Sequence, residues 1–154
     1  MSDRQLKNYD DDPFSNYQFR VEIEGIETFG FKEVLGLSNK TDVSEYQEGG
    51  QNKFAHKFAG QTTFSNLTLK KGIALDQSLY EWRKQVIDGN LEDALRDITI
   101  VLISEKGSYA KELSWRFYDV WPCKWEANTF DSMSDSIGIE TLELALSMGE
   151  EVER

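Results

Sequence analysis

A strict two-residue rhythm near the N-terminus does most to restrict the fold. Tyr17, Phe19, Val21 and Ile23 alternate with Gln18, Arg20, Glu22 and Glu24. Successive side chains of a strand point to opposite faces, so this segment is a strand with one apolar and one charged face. A parallel core strand, covered on both sides, would read as a continuous apolar run instead. The pattern predicts a half-buried antiparallel sheet whose first strand lies over residues 16–24. Gly25 breaks the run, and a second strand signal covers residues 28–37.

Residues 38–61 read differently. Gly49-Gly50 marks a turn between a polar limb, Asp42–Glu48, and a mixed limb, Lys53–Ala59. Phe54 and Phe58 share one parity, Lys53 and Lys57 the other. The expectation is an extended, polar β-hairpin with little core of its own, which needs a neighbour to lie against. Phe64, Leu67 and Leu69 then mark another strand, which Gly72 ends.

A helix is predicted over residues 77–88, with Asp76 as its N-cap and Gly89 as its C-terminal cap. Leu75, Leu79, Trp82 and Val86 recur at helical spacing and form one apolar stripe. Glu81, Arg83, Lys84 and Asp88 are left to solvent or a partner. Ile98–Ile103 is a continuous apolar run of strand length, expected to be buried on both faces, and a turn is predicted at Lys106–Ser108. Leu113, Trp115 and Phe117 alternate again, and Asp119–Glu126 continues that strand, with Pro122 at an edge or bulge. Residues 128–136 are turn-like. The last strand, Ile137–Met148, changes phase, and a bulge near Glu140–Thr141 would account for it. Seven to nine strands and one helix make a mainly β protein: an antiparallel β-barrel or sandwich with one flanking α-helix.

Bulk properties exclude several function classes. With 154 residues the chain suits one domain with a core of its own. A flexible arm is expected over residues 1–12 and a single domain over residues 13–154. No apolar run reaches the roughly 18 residues of a membrane span. The polar, acidic start reads as neither a signal nor a transit peptide, so the chain is expected to fold in a bacterial cytoplasm. A net charge of −11, from 28 acidic and 17 basic residues, argues against specific nucleic-acid binding, which draws its affinity from Lys and Arg on phosphates.

Sites for chemistry are sparse. His56 is the only histidine and Cys123 the only cysteine, too few for a structural zinc site. Cys123 lies in an aromatic stretch and reads as a small buried filler. No nucleophile elbow, zinc-protease motif, P-loop or dinucleotide fingerprint is present. The four Trp, nine Phe and six Tyr fall mostly at core spacing, with no interleaved basic patch to make a base-stacking surface. The expectation is no catalytic residue, no metal and no cofactor.

Four stretches carry a family resemblance: DPFSNYQFRVEIEG (Asp12–Gly25), EVLGLS (Glu33–Ser38), DVSEYQEGG (Asp42–Gly50) and FSNLTLKKGI (Phe64–Ile73), joined by the helix stripe Leu79–Val86. In this order and spacing the chain resembles the tail tube proteins, the inner-tube subunits of contractile phage tails, R-type pyocins and extracellular contractile injection systems. It is similar in fold to the secreted tube protein of type VI secretion. The resemblance implies a structural subunit that forms hexameric rings, stacked into a tube with a central lumen for cargo. Its partners would be further copies of itself, a contractile sheath, and baseplate and terminator proteins, within a released phage-tail or phage-tail-like particle. Under this reading Asp42, Glu45, Tyr46, Glu48, Gly49, Gly50 and Lys53 are expected at inter-subunit contacts. Glu81, Lys84 and Asp88 are candidates for facing the sheath. The alternatives are a tube-initiator ring protein of the same fold beside the baseplate, and a soluble β-barrel carbohydrate-binding module or enzyme.

Overall fold

A computed structural model of the chain describes residues 17–26, 29–46, 49, 54–106, 109–127 and 138–151. Among these residues there are ten strands and two helices. They are β1 (Tyr17–Ile23), β2 (Phe29–Phe31), β3 (Glu33–Leu35), β4 (Asn39–Tyr46), β5 (His56–Phe64), β6 (Leu67–Gly72), α1 (Ser78–Ile87), α2 (Leu91–Ala94), β7 (Arg96–Lys106), β8 (Tyr109–Ala127), β9 (Ile139–Ala145) and β10 (Met148–Glu151).

Eight strands form one antiparallel sheet in the order β2-β1-β7-β8-β9-β6-β3, and β10 also pairs with β8. The two ends of this path, β2 and β3, are separated in sequence only by Lys32. Its N–H donates to the Lys70 carbonyl at 2.8 Å, continuing the β3–β6 ladder. The sheet therefore curls until its ends meet in one continuous segment, a barrel closure that removes two edges. This is why the second predicted strand, residues 28–37, is two strands: the chain leaves β1 at Phe31 and joins β6 at Glu33.

β8 is the spine. Its first half pairs with β7 and β10, its second half with β9. It kinks at Asp119, which has φ 52°, beside a register shift in the β7 ladder. A second shift lies between Pro122 and Lys124, where sequence placed an edge or bulge. Proline has no N–H to give a ladder, so the bulge absorbs it.

The core holds Val21, Ile23, Phe31, Leu67, Leu69, Ile98, Ile100, Phe117, Val120, Leu142 and Leu144. α1 adds Leu79 and Trp82, and the Trp82 indole N–H donates to the Ala94 carbonyl at 2.6 Å, tying α1 to α2. Burying such side chains contributes roughly 1.5–3 kcal/mol each. The α1 C-terminus ends in a Schellman motif: Gly89 has φ 84° and donates to the Val86 carbonyl, while Asn90 donates to that of Gln85.

Several expectations need correction. Leu75 does not join the helix stripe; it precedes α1 and is fully exposed. The N-cap position is Gln77, without a side-chain bond, but Asp76 Oδ1 accepts from the Ser78 N–H at 2.9 Å and so still satisfies the first helical turn. Phe64 ends β5 rather than opening β6. No bulge occurs at Glu140–Thr141, because the β6–β9 register is unbroken there. The phase anomaly has a different cause: Glu140 is itself an inward residue, only 4% exposed. One of its oxygens accepts from Trp125 Nε1 at 2.7 Å and the other lies 3.9 Å from Lys71 Nζ. The last predicted strand is divided into β9 and β10, which brings the strand number to ten. Residues 1–12, the Lys106–Ser108 turn beyond Lys106, and residues 128–136 lie outside the described residues.

Candidate functional site

The β4–β5 arm stands apart as its own two-stranded sheet. Every residue of β4 is exposed, and so is every residue of β5 except Phe64, which is half buried. Local chemistry holds the arm in register. Ser65 N–H donates to the Ser38 carbonyl at the root, and the two serine hydroxyls lie 2.7 Å apart. Thr41 and Thr62 face each other with their hydroxyls 2.8 Å apart. A bulge in β5 sets Gly60 and Gln61 opposite the single residue Asp42, between Thr41 and Val43. Glu45 then opposes Lys57, an opposite-charge cross-strand pair, and Tyr46 opposes His56.

The arm leaves the body at Gly36, which no other residue could replace without strain. Its φ is 91°, and a Cβ there would lie 2.1 Å from the Asn66 carbonyl oxygen. The backbone thus crosses close over the Ser65–Asn66 bend before β4 begins.

One face of the arm carries two aromatic rings among polar side chains. Register puts Ser44 opposite Phe58 and Tyr46 opposite His56, so Tyr46 and Phe58 are diagonal neighbours; their rings meet edge-on at 6.5 Å. Tyr46 is 55% exposed, Phe58 56% and, beyond β5, Phe54 82%. Exposed aromatics grouped in this way mark contact surfaces.

Of the residues that sequence assigned to inter-subunit contact, Asp42, Glu45, Tyr46 and Gly49 are described and exposed. Glu48, Gly50 and Lys53 lie outside the described residues. Sequence reasoning noted the shared parity of Phe54 and Phe58 but assigned neither of them, nor Val43, to the contact, although the apolar residues of this segment have no core to enter. On α1, Glu81, Lys84 and Asp88 are all exposed. Arg83 is not free for a partner as expected: it is half buried, and its guanidinium donates to the Pro122 carbonyl at 3.3 Å.

Titratable groups near these elements have structural explanations. Hydrogen bonds from the Ser78 hydroxyl and N–H hold the Asp76 carboxyl below its ordinary range. The Tyr118 hydroxyl donates to Glu150, and this bond raises it above the usual phenol range. Burial, followed by the charge of Glu143, pushes the Cys123 thiol up, so it is a poorer nucleophile than a free cysteine. His56 is exposed on β5. Among the described residues no cluster of three or more His, Cys, Asp or Glu side chains is arranged to hold a metal ion. No helix among them is long and apolar enough to cross a membrane.

The model of the family described as T4-like virus tail tube protein gp19 matches residues 15–149. Among solved structures, a chain of the sheath–tube complex of the extracellular contractile injection system PVC, in its extended state, is 25% identical, with a TM-score of 0.73 over 99% of this chain and 98% of that one. A chain of the tube-terminating cap of the anti-feeding prophage is 26% identical, with a TM-score of 0.73 over 97% and 100%. Hcp1 from Flavobacterium johnsoniae, 14% identical with a TM-score of 0.56 over 87% and 94%, shares the fold. No curated protein sequence matches the chain.

Proposed function

This chain belongs to the tail tube protein family of T4-like viruses, and from that premise we propose that it is the inner-tube subunit of a contractile, phage-tail-like particle, in which hexameric rings stack around a lumen that carries cargo. The observation that carries this reading is the β4–β5 arm, folded in good register yet exposed along nearly its whole length. An isolated two-stranded hairpin is marginal in water. An arm with three exposed aromatics gains its stability from a neighbour, and a tube supplies one at every position.

In this reading Asp42, Glu45, Tyr46, Glu48, Gly49, Gly50 and Lys53 contact the adjacent subunit or ring. Glu81, Lys84 and Asp88, on the exposed side of α1, meet the sheath. Residues 1–12 are an arm that orders on assembly, and residues 13–154 the tube domain. Baseplate and terminator proteins bound the two ends of the tube. The role is mechanical: sheath contraction drives the tube through an envelope, and the subunit carries out no reaction and needs no cofactor. The subunit is made in the cytoplasm and leaves it within the particle.

Negative-stain microscopy of the purified protein tests the proposal. Rings or tubes are the expected result. A strictly monomeric species at high concentration, even after addition of tube fragments as template, overturns it.

A further inference from the structure

The inward face of the β6–β9 ladder consists of three direct pairs: Leu67 with Leu144, Leu69 with Leu142, and Lys71 with Glu140. All six residues are buried. A slip of one residue would turn the leucines to the other face, so the leucines themselves forbid it. A slip of two keeps every leucine inward, and the leucines cannot detect it. In one direction it sets Leu67 opposite Leu146, Leu69 opposite Leu144, Lys71 opposite Leu142 and Ile73 opposite Glu140. On the other face the same slip brings Lys70 opposite Glu143, an opposite-charge pair that favours the wrong register. In the other direction Leu69 faces Glu140 and Lys71 faces Gly138. Either slip parts an ammonium and a carboxylate that lie 3.9 Å apart in the native register. It does so within an apolar layer, where a lone charge is costly. Asn66 also donates to Glu143 Oε1 across this ladder at 3.1 Å, but that bond is open to water and discriminates less. On its other edge β6 is paired with the three-residue β3.

We propose that the buried Lys71–Glu140 pair is a register lock: it selects one pairing of β6 with β9 among those the leucines allow, and through it fixes where the β4–β5 arm stands. β6 directly follows the Ser65–Asn66 bend at the root of the arm. Each two-residue step in this register therefore moves the arm by about 7 Å against β9. A buried ion pair is weak support for stability, since apolar side chains of similar volume often do as well. A single polar contact among interchangeable apolar ones can nonetheless choose a register. The first slip is the one the apolar pattern favours once the charges are gone, because it gains Leu146 and Ile73 for the inward face. The inference concerns the single chain and does not depend on the tube-subunit reading.

Paired cysteines report the register in the full-length chain, with Cys123→Ser removing the native thiol. Thr68 lies opposite Glu143 and diagonal to Ala145. Diagonal partners are about 7–8 Å apart, beyond the reach of a disulfide, so Thr68→Cys/Ala145→Cys closes only after the first slip. With Lys71 and Glu140 intact, mild oxidation is expected to close Thr68→Cys/Glu143→Cys and to leave both thiols of Thr68→Cys/Ala145→Cys open to alkylation. With Lys71→Met/Glu140→Leu added, the Thr68→Cys/Ala145→Cys bridge is expected to form within the chain. Intact mass after alkylation reads this as the loss of two labelled thiols, while far-ultraviolet circular dichroism stays that of the folded protein. Lys71→Arg keeps the positive charge and is expected to leave those thiols open. Open thiols in the Lys71→Met/Glu140→Leu protein, or a Lys71→Arg protein that bridges as readily, overturn the lock. A Lys71→Met/Glu140→Leu protein that does not fold overturns it as well, because the pair would then be holding the fold together rather than choosing among registers.

Discussion

Glu140 shows how a single residue can mislead a pattern. Its place among the leucines of β9 looks like a break in phase, but it is an inward carboxylate held by the Trp125 indole and by Lys71. Removing Glu140 breaks a buried ion pair and takes the acceptor from the Trp125 indole N–H; breaking a buried pair costs about 3–5 kcal/mol, whereas replacing both members with apolar side chains is often neutral. Glu140→Ala is therefore expected to destabilise the fold by about 3 kcal/mol in urea unfolding, and the Glu140→Leu/Lys71→Met pair to recover most of that loss. Asp76 carries a pH signature. Its carboxyl is held below 3.8 by the Ser78 hydrogen bonds, so its contribution is present above the unfolded value and is lost as pH falls through the folded one. Asp76→Ala should lower the melting temperature at neutral pH and make no difference near the acid limit; an equal effect at both would show that the Ser78 bonds are not the cause.

At the scale of elements, α1 and the arm were both visible in the sequence, for different reasons. The helix announced itself through the spacing of Leu79, Trp82 and Val86 and through Gly89, whose left-handed backbone does form the C-terminal cap. The extent of its stripe was overread at Leu75, since periodicity alone does not say where the first turn begins. The arm was legible from its turn and its lack of core residues. Its register was not, since the bulge at Asp42 shifts the pairing and decides which side chains share the aromatic face. Tyr46→Ser combined with Phe58→Ser is expected to leave the melting temperature of the dissociated subunit almost unchanged, as exposed substitutions usually stay within about 0.5 kcal/mol. The same pair should sharply reduce polymer in sedimentation, and unchanged polymer would remove the arm from the assembly contact.

For the whole molecule, the proposed tube would cover the exposed arm and part of the exposed apolar surface with neighbouring copies. Association that favours the folded state makes melting depend on concentration, so the melting temperature by calorimetry should climb across a rising dilution series, and a constant value would speak for a self-sufficient monomer. Local alternation and helical spacing were enough to indicate a mainly antiparallel β protein with a flanking helix and a polar hairpin, because those signals depend only on which neighbouring side chains share a face; the family resemblance came from the order of its motifs, and the short α2 was not foreseen. Closure of the sheet through Lys32, the division of residues 28–37 between two neighbours and the pairing of Glu140 with Lys71 depend on which distant segments come together. That choice is made by packing over the whole chain, and only the tertiary structure records it.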